Sequence, residues 1–179
     1  MSKYYRSVLN VLTPAFSSTK SMAFDGVDDF VEVASSSINS IENEFSIQIT
    51  YSPISYNFND YSHNMIVRKQ RSYLIELTNG HQIKACIYDG GNLFSCIYSD
   101  TIIELGEKYY IEFKYFPYNN EYKLELYIND NLVAENTTDK VLGNVESELL
   151  TLGNSYWYAD NDLTYYSNCI LYNFILSSD

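Results

Sequence analysis

Apolar and polar residues alternate along most of the chain, with the two-residue period of a half-buried β-strand. The segment 44–52 shows this clearly, because Phe45, Ile47, Ile49 and Tyr51 are each separated by a polar residue. Short runs of this kind recur at a spacing of about ten residues and end at turns rich in Asn, Asp and Gly. The pattern predicts an all-β, antiparallel sandwich of about a dozen strands, with less than about 10% helix.

Two turn sequences locate hairpins within this pattern. Asn79-Gly80 lies between two apolar runs and is the dipeptide that a two-residue type I′ turn favours. The cluster 117–120, Pro-Tyr-Asn-Asn, separates two further strands in the same way. Each pair of flanking strands is therefore expected to be antiparallel and adjacent.

The register of a third hairpin determines whether Cys86 and Cys96 can form a disulfide. If Gly90-Gly91 is a two-residue loop, Cys86 lies opposite Ser95 and Cys96 lies opposite Ala85. Because side chains alternate between the faces of a sheet, the two sulfur atoms would then point to opposite sides. The chain has three cysteines, an odd number. We therefore expect free thiols.

Composition and charge narrow the class of protein. The chain has 179 residues, 46% of them hydrophobic and 19% charged, which is the balance of one globular domain. Its nineteen tyrosines favour pleated surfaces. The net charge of −12 argues against nucleic acid, because phosphate binding needs clustered Lys and Arg. The one basic cluster, 68–71, is interpreted as a solvated strand end or turn.

The first twenty residues do not have the pattern of a secretory signal. Asn10 interrupts their short apolar run and Pro14 ends it, whereas a signal peptide needs a continuous apolar region. No stretch approaches the roughly 20 apolar residues that span a membrane. We expect no membrane insertion, and a protein that folds in a reducing cytosol.

The order of several segments resembles the laminin G-like, concanavalin A-like jelly-roll family. "MAFDGVDDFVEV" is similar to the opening of that family, where a first strand turns through Asp-Gly-x-x-Asp into a second. "MIVRKQRSYLIELTNGHQIKACIYDGG" resembles the next hairpins, and "GEKYYIEFKYFPYNNEYKLELYINDNLVAENTT" resembles the most distinctive strand and hairpin. "LTLGN" and "LYNFILS" are similar to the closing strands. The resemblance implies two curved antiparallel sheets packed face to face, in a domain at 20–179 that follows an arm at 1–19.

The acidic opening turn has two interpretations. Asp and Gly build tight turns, because Gly accepts a positive φ and Asp bonds nearby amides. The alternative is calcium, which takes six to eight oxygen ligands. A calcium site would use these side chains: Asp25, Asp28 and Asp29, with Asp160 and Asp162. The family's acidic residue ahead of the last strand is replaced here by Ser167 or Asn168. The turn is therefore preferred, with no cofactor assigned.

Catalysis is not expected. Glycosidases of this fold need two carboxylates about 5–10 Å apart on one face. The sequence offers Glu146 with Glu148 and Glu121 with Glu125. Glu146 and Glu148 share a face, but no third acid follows them. We assign no catalytic residue, and a glycoside hydrolase remains the weaker alternative.

One polar loop could bind a glycan. The segment 154–166 contains rings that stack on the C–H faces of sugars and carboxylates that bond hydroxyls. The candidate ligand-binding residues are Tyr156, Trp157, Tyr158, Asp160 and Asp162. The other interpretation is that these rings pack on the sheet or cover its edge.

A lone adhesion-type domain without a signal is typical of virus-made proteins. We therefore expect a phage virion protein, a capsid decoration or a head- or tail-appendage subunit that assembles in the host cytoplasm. Its partners would be other virion proteins or further copies of the chain, with host-surface glycan as a second ligand. The alternative is a carbohydrate-binding module with no virion role.

The arm is too apolar for a free tail. Its candidate contact residues are Tyr4, Tyr5, Val8, Leu9 and Leu12. An isolated arm cannot bury these side chains by itself, so it must lie on something. The candidates are the edge of its own sheet beside the C-terminal strand, or a neighbouring subunit.

Deleting residues 1–19 tests the assembly role of the arm. We expect the truncated chain to fold, because the family resemblance begins after the arm, but to stay monomeric and to fail to join its partner. Circular dichroism measures the fold, and light scattering measures the oligomeric state. Loss of the fold would show that the arm belongs to the core and would contradict this assembly route.

Overall fold

The computed structural model describes residues 5–7, 21–33, 43–56, 63–91, 94–143, 150–156 and 164–177. Every regular element in these ranges is a β-strand, so the predicted all-β class is confirmed. The strands are β1 (Tyr5–Ser7), β2 (Met22–Asp25), β3 (Val31–Val33), β4 (Phe45–Pro53), β5 (His63–Lys69), β6 (Tyr73–Thr78), β7 (Gln82–Tyr88), β8 (Phe94–Ile102), β9 (Tyr109–Tyr118), β10 (Glu121–Ile128), β11 (Asn131–Thr138), β12 (Leu150–Leu152), β13 (Asn154–Tyr156), β14 (Thr164–Tyr166) and β15 (Asn168–Ser177). The described part of the chain contains no helix that could cross a membrane.

The strands form two large sheets. The seven-stranded sheet has the order β1-β3-β12-β5-β6-β7-β8, and the six-stranded sheet has the order β11-β10-β9-β4-β15-β2. A short pair, β13-β14, forms a third sheet. Neighbouring strands in the two large sheets are antiparallel, except that β1 runs parallel to β3. The two sheets pack face to face, and their inward side chains form one continuous core.

The core follows the alternation seen in the sequence. In β4 the side chains of Phe45, Ile47, Ile49 and Tyr51 are all buried, and the polar residues between them point outward. The ring of Phe45 lies 5.0 Å from that of Tyr73, which belongs to the opposite sheet. Burying side chains of this size contributes about 1.5–3 kcal/mol each, which makes the inward face of every strand obligatory.

The two asparagine-rich turns of the six-stranded sheet are tight. Asn119 and Asn120 have φ of 49° and 66°, and Asn129 and Asp130 have φ of 52° and 65°. Positive φ at both central residues defines a type I′ turn, which asparagine and aspartate tolerate. The predicted hairpin at 117–120 is confirmed.

The prediction for Asn79-Gly80 is wrong in detail. Leu77 pairs with Ile83, which leaves a three-residue loop between β6 and β7, and the positive φ of 60° falls on His81. The extra residue changes the turn type, while the hairpin itself is present.

The acidic turn joins β2 to β3, but it does not make a hairpin. β2 lies at the edge of the six-stranded sheet, and β3 lies in the seven-stranded sheet. Gly26, with φ of 79°, lets the chain turn from one sheet into the other.

The described strand of the arm, β1, lies on its own domain. β1 pairs with β3 at the edge of the seven-stranded sheet, whereas the C-terminal strand β15 lies between β4 and β2. The expected position beside the C-terminal strand is therefore wrong. Of the candidate arm residues, Tyr5 is described by its backbone alone, and the rest lie outside the described residues. Their contact with another subunit stays a prediction.

The cysteine prediction is also wrong for two of the three residues. Cys86 pairs directly with Cys96 across β7 and β8, and the two form a disulfide with Cα atoms 4.2 Å apart. Tyr88 pairs with Phe94, so the loop has five residues, and an odd loop places both cysteines on one face.

Hydrogen bonds to Arg71 and Gly143 hold the end of β7 and the start of this longer loop. The Gly90 amide donates to the Arg71 carbonyl at 3.2 Å, and the Gly143 amide donates to the Tyr88 carbonyl at 2.7 Å. Cys169 is free as expected, and burial raises the pKa of its thiol to about 12, although the Ser167 hydroxyl partly offsets the effect.

Removing the disulfide should cost stability. The bridge closes a loop with a sequence separation of 10, which corresponds to about 3 kcal/mol from reduced chain entropy. We expect the free energy of unfolding of the Cys86→Ser, Cys96→Ser double variant, measured in urea, to fall by about this amount.

The loss is measured against the oxidised wild type. The reduced wild type is the control, because it lacks the bridge but keeps both side chains, and it should lose about as much stability as the double variant. Thiol titration of the denatured, unreduced protein should find one reactive thiol. Three reactive thiols, with no loss of stability on reduction, would contradict the bridge.

Candidate functional site

A row of large exposed side chains lies on the edge strand β8. Phe94 is 58% exposed, Tyr98 is 51% exposed and Ile102 is 52% exposed. All three point away from the core, while Ile97 points into it. We call these three residues the β8 row. Residues this large at such exposure, grouped on one face, are typical of an interaction surface.

The neighbouring strand β7 extends this surface. Tyr88 pairs with Phe94, and their ring centroids are 5.7 Å apart. Lys84 pairs with Tyr98 and places its Nζ atom 5.9 Å from the ring centroid. The disulfide lies between these two pairs and fixes the spacing of the strands at this point.

A buried ion pair stands beside the β8 row. Lys84 Nζ lies 2.7 Å from Oε1 of Glu76, whose residue is 1% exposed. Burial alone would lower the pKa of Lys84, but the hydrogen bond and charge of Glu76 raise it above its usual value. Burial also raises the pKa of Tyr88, against the opposing effect of Arg68 and Lys84. Lys84 is therefore a cation at neutral pH, and Tyr88 is a neutral phenol.

The basic cluster at 68–71 differs from its predicted role. Arg68 is 6% exposed and Lys69 is 2% exposed, so neither is a solvated strand end. Arg71 is exposed, with φ of 60°, in the turn before β6.

A second polar surface lies on the outer face of the six-stranded sheet. Oε1 of Glu112 accepts hydrogen bonds from Ser46 Oγ at 3.1 Å and Gln48 Nε2 at 2.8 Å. Lys114 Nζ lies 3.1 Å from the other oxygen of Glu112 and 4.7 Å from the ring centroid of Tyr127. These contacts join three adjacent strands.

The same network includes Glu125. Its carboxylate accepts hydrogen bonds from Lys123 at 2.9 Å and Tyr127 at 2.8 Å, and Lys123 also contacts Glu135 at 2.8 Å. Burial alone would raise the pKa of Glu125, but the hydrogen bonds from Lys123 and Tyr127 lower it. Glu125 therefore stays ionised, which is unsuitable for a general acid. Glu121 lies four residues away on the same strand, about 13 Å, too far for a glycosidase pair.

The acidic turn uses its carboxylates locally. Ligand atoms of Asp25, Asp28 and Asp29 lie within 4.8 Å of one another. Asp25 Oδ1 accepts the amides of Val27 at 2.8 Å and Asp28 at 3.4 Å, and Asp29 Oδ2 accepts the amide of Asp25 at 3.2 Å. These bonds fit the turn interpretation. Calcium needs more oxygens, and its other candidates lie outside the described residues.

The predicted glycan loop is only partly described. β13 and β14 form its base, and the Gly153 amide just before β13 donates to the Ile66 carbonyl of β5 at 3.0 Å. Tyr156 is placed by its backbone alone, and Trp157, Tyr158, Asp160 and Asp162 lie outside the described residues, as do Glu146 and Glu148. Their roles stay predictions.

Comparison with known proteins identifies the fold. No protein-family model and no curated protein sequence matches the chain. The binding domain of botulinum neurotoxin serotype D superposes with a TM-score of 0.63 at 13% identity, over 87% of this chain and 38% of that one. The LG1–3 region of the laminin α2 chain superposes with a TM-score of 0.62 at 14% identity, over 89% of this chain and 31% of that one.

A smaller protein matches over nearly its full length. A galectin from Caenorhabditis elegans superposes with a TM-score of 0.50 at 10% identity, over 88% of this chain and 96% of that one. The chain spans between 31% and 64% of the laminin, neurotoxin and Limulus polyphemus pentraxin structures. The likeness establishes the concanavalin A-like, laminin G-like jelly-roll fold that the order of the motifs predicts.

The lowered pKa of Glu125 makes its contribution depend on pH. A carboxyl group whose pKa is lower in the folded state stabilises the fold above its unfolded pKa of about 4.3, and loses that effect as the pH falls through the folded pKa. We expect Glu125→Gln to reduce the free energy of unfolding at pH 7 by about 1 kcal/mol or less, because the site is only partly buried. At pH 3 the difference from wild type should shrink.

The exposed Glu121 at the start of the same strand gives the control. Glu121→Gln should change stability little at either pH. A Glu125→Gln effect that is equal at pH 7 and pH 3 would contradict an electrostatic origin.

Proposed function

We propose that this protein is a non-catalytic glycan-binding module and that the β8 row is its contact surface. One observation carries the proposal: three large side chains, each more than half exposed, lie along one strand beside a fixed ion pair. Core packing does not account for these side chains.

Sugar chemistry suits this surface. The faces of Phe94 and Tyr98 can stack on the C–H faces of pyranose or furanose rings. The two residues are four positions apart along the strand, a distance of about 13 Å, which favours an extended chain of sugars over a single ring. Lys84 and the phenol of Tyr88 supply hydrogen bonds to hydroxyl groups. The net charge of −12 disfavours a strongly anionic polymer, so the ligand is a neutral glycan.

Two proteins of the same fold have been solved with a ligand, one with a glycan and one with a protein, and only the first lends the glycan proposal support by analogy. Domain 4 of an arabinanase from Geobacillus stearothermophilus has been solved with arabinotriose, and it superposes with a TM-score of 0.51 at 15% identity. A botulinum neurotoxin binding domain has been solved with rat synaptotagmin II, and it superposes with a TM-score of 0.61 at 13% identity. A shared fold at this identity does not transfer a ligand, so the proposal depends on the β8 row.

The virion setting is a second proposal. Disulfides persist on secreted proteins and on virion surfaces, so the bridge between Cys86 and Cys96 favours a domain that works outside a reducing cytosol. The expectation of a cytosolic protein depended partly on free thiols, and the bridge takes that support away. A phage appendage that contacts host-surface glycan fits this chemistry. Detection of the protein at a fixed copy number in purified particles would support the proposal, and its absence from them would refute it.

Substitution of the β8 row tests the glycan proposal. We expect Tyr98→Ala and Phe94→Ala each to weaken binding to a neutral polysaccharide at least tenfold, about 1.4 kcal/mol, because each removes a stacking face. Affinity electrophoresis against arabinan, β-glucan and xylan measures this effect. Stability should change little, because both rings are more than half exposed.

Tyr118→Ala is the matched control, because Tyr118 is 45% exposed on the other sheet. Binding that survives both β8 variants but disappears in Trp157→Ala would move the site to the loop 154–166. Binding to none of a broad set of glycans would refute the function itself.

A further inference from the structure

We propose that a groove beside the six-stranded sheet is a second binding site, separate from the β8 row, for one neutral polyhydroxylated ring of monosaccharide size. The groove lies where β4 begins and has a volume of about 330 Å³. This is at the lower end of the range for ligand sites, so it fits a single ring better than a chain. Its rim carries Glu44, Ser46, Lys114, Phe116 and Ser177.

The floor of the groove is rigid. Phe45 and Tyr115 lie beneath it, and their rings point into the core, where they stack with centroids 5.7 Å apart and planes 29° apart. Both residues belong to the core, at 3% and 0% exposure. The Tyr115 hydroxyl donates to the Lys140 carbonyl and accepts from the Leu142 amide, both at 3.1 Å. The floor therefore needs no rearrangement before a ligand binds.

The positive charge at the rim is held in place before any ligand arrives. Glu112 and the ring of Tyr127 fix Lys114, and Ser46 and Gln48 in turn fix Glu112. The side chain of Lys114 nevertheless stays 35% exposed, so it keeps donors for a ligand. Preorganisation of this kind lowers the entropic cost of binding.

The negative charge at the rim is different. Glu44 is half-buried, and its carboxylate makes no hydrogen bond or ion pair to any residue in the described part of the chain. It can therefore accept a hydrogen bond from a ligand hydroxyl.

The rim chemistry selects the class of ligand. A hydroxyl group both donates and accepts, so neighbouring hydroxyls can bond Glu44 and Lys114 together, while Phe116 offers a ring face. An anion would be repelled by Glu44 and Glu112. A cation would be attracted by Glu44, but it would leave the hydrogen-bond donors of Lys114 and the ring face of Phe116 unused. The neutral polyol is the class that all these groups accept.

Amide chemical shifts in the ¹⁵N-labelled protein test the site with free glucose, galactose and arabinose, each added alone. We expect at least one of these sugars to cause saturable shifts confined to the groove, with a dissociation constant in the millimolar range. Lys114→Met and Glu44→Gln should each weaken that binding at least fivefold. Lys123→Met is the matched control, because Lys123 has similar ion pairs on the next strand and does not line the groove.

The outcomes separate this inference from the β8 proposal. Tyr98→Ala should leave the groove shifts unchanged, so polysaccharide binding can fail while the groove still binds, and the reverse holds as well. No saturable shift at the groove with any of the three sugars would overturn the inference. Equal affinity in wild type and in both folded rim variants would overturn it too, and Glu44→Gln decides the matter if Lys114→Met does not fold.

Discussion

The packing of the two sheets against each other is the constraint on which the rest of the structure depends. Phe45 shows it most directly, because its ring contacts Phe113 and Tyr115 in its own sheet and Tyr73 in the opposite one. Each strand must bury one face to make such contacts, and its other face then points outward. Both candidate sites use outward-pointing side chains: the β8 row on one sheet, and the groove at the start of β4 on the other.

The edge strand β8 contributes few large side chains to the core. Within this strand Ile97 is the one apolar residue that is fully buried, and the large side chains of the β8 row point the other way. Besides its packing on β10 and β11, this strand is held by its hydrogen bonds to β7 and by the disulfide between Cys86 and Cys96. The bridge thus helps to hold an edge strand whose largest side chains are exposed instead of packed in the core.

The two sites differ in shape and chemistry. The β8 row is an exposed row with two aromatic rings, and the ion pair of Lys84 and Glu76 lies beside it. The groove is concave and lies over strands anchored in the core, with opposite charges from Glu44 and Lys114 on its rim. An exposed row suits the interior of a polymer, and a concave groove suits a single ring, so the two proposed sites differ in the ligand that each would take.

The sequence by itself determined the fold class and most of the hairpins. The alternation in β4 and the asparagines at 119–120 act between near neighbours, so their effects are legible without a structure. The jelly-roll order of the motifs likewise needed no coordinates, and the comparisons confirm it.

Only the tertiary structure decided the chemistry of the surfaces. Hydrogen bonds of Gly90 with Arg71 and of Tyr88 with Gly143 hold the turn that follows β7. Tyr88 pairs with Phe94, and that register brings Cys86 and Cys96 together. In β8 the alternation alone would bury the face of Phe94 and Tyr98, but packing against the other sheet buries Ile97 and Ser99 instead. Glu44 and Lys114 meet only because β4 pairs with β9. These outcomes depend on residues far apart in the chain, and local patterns do not contain that information.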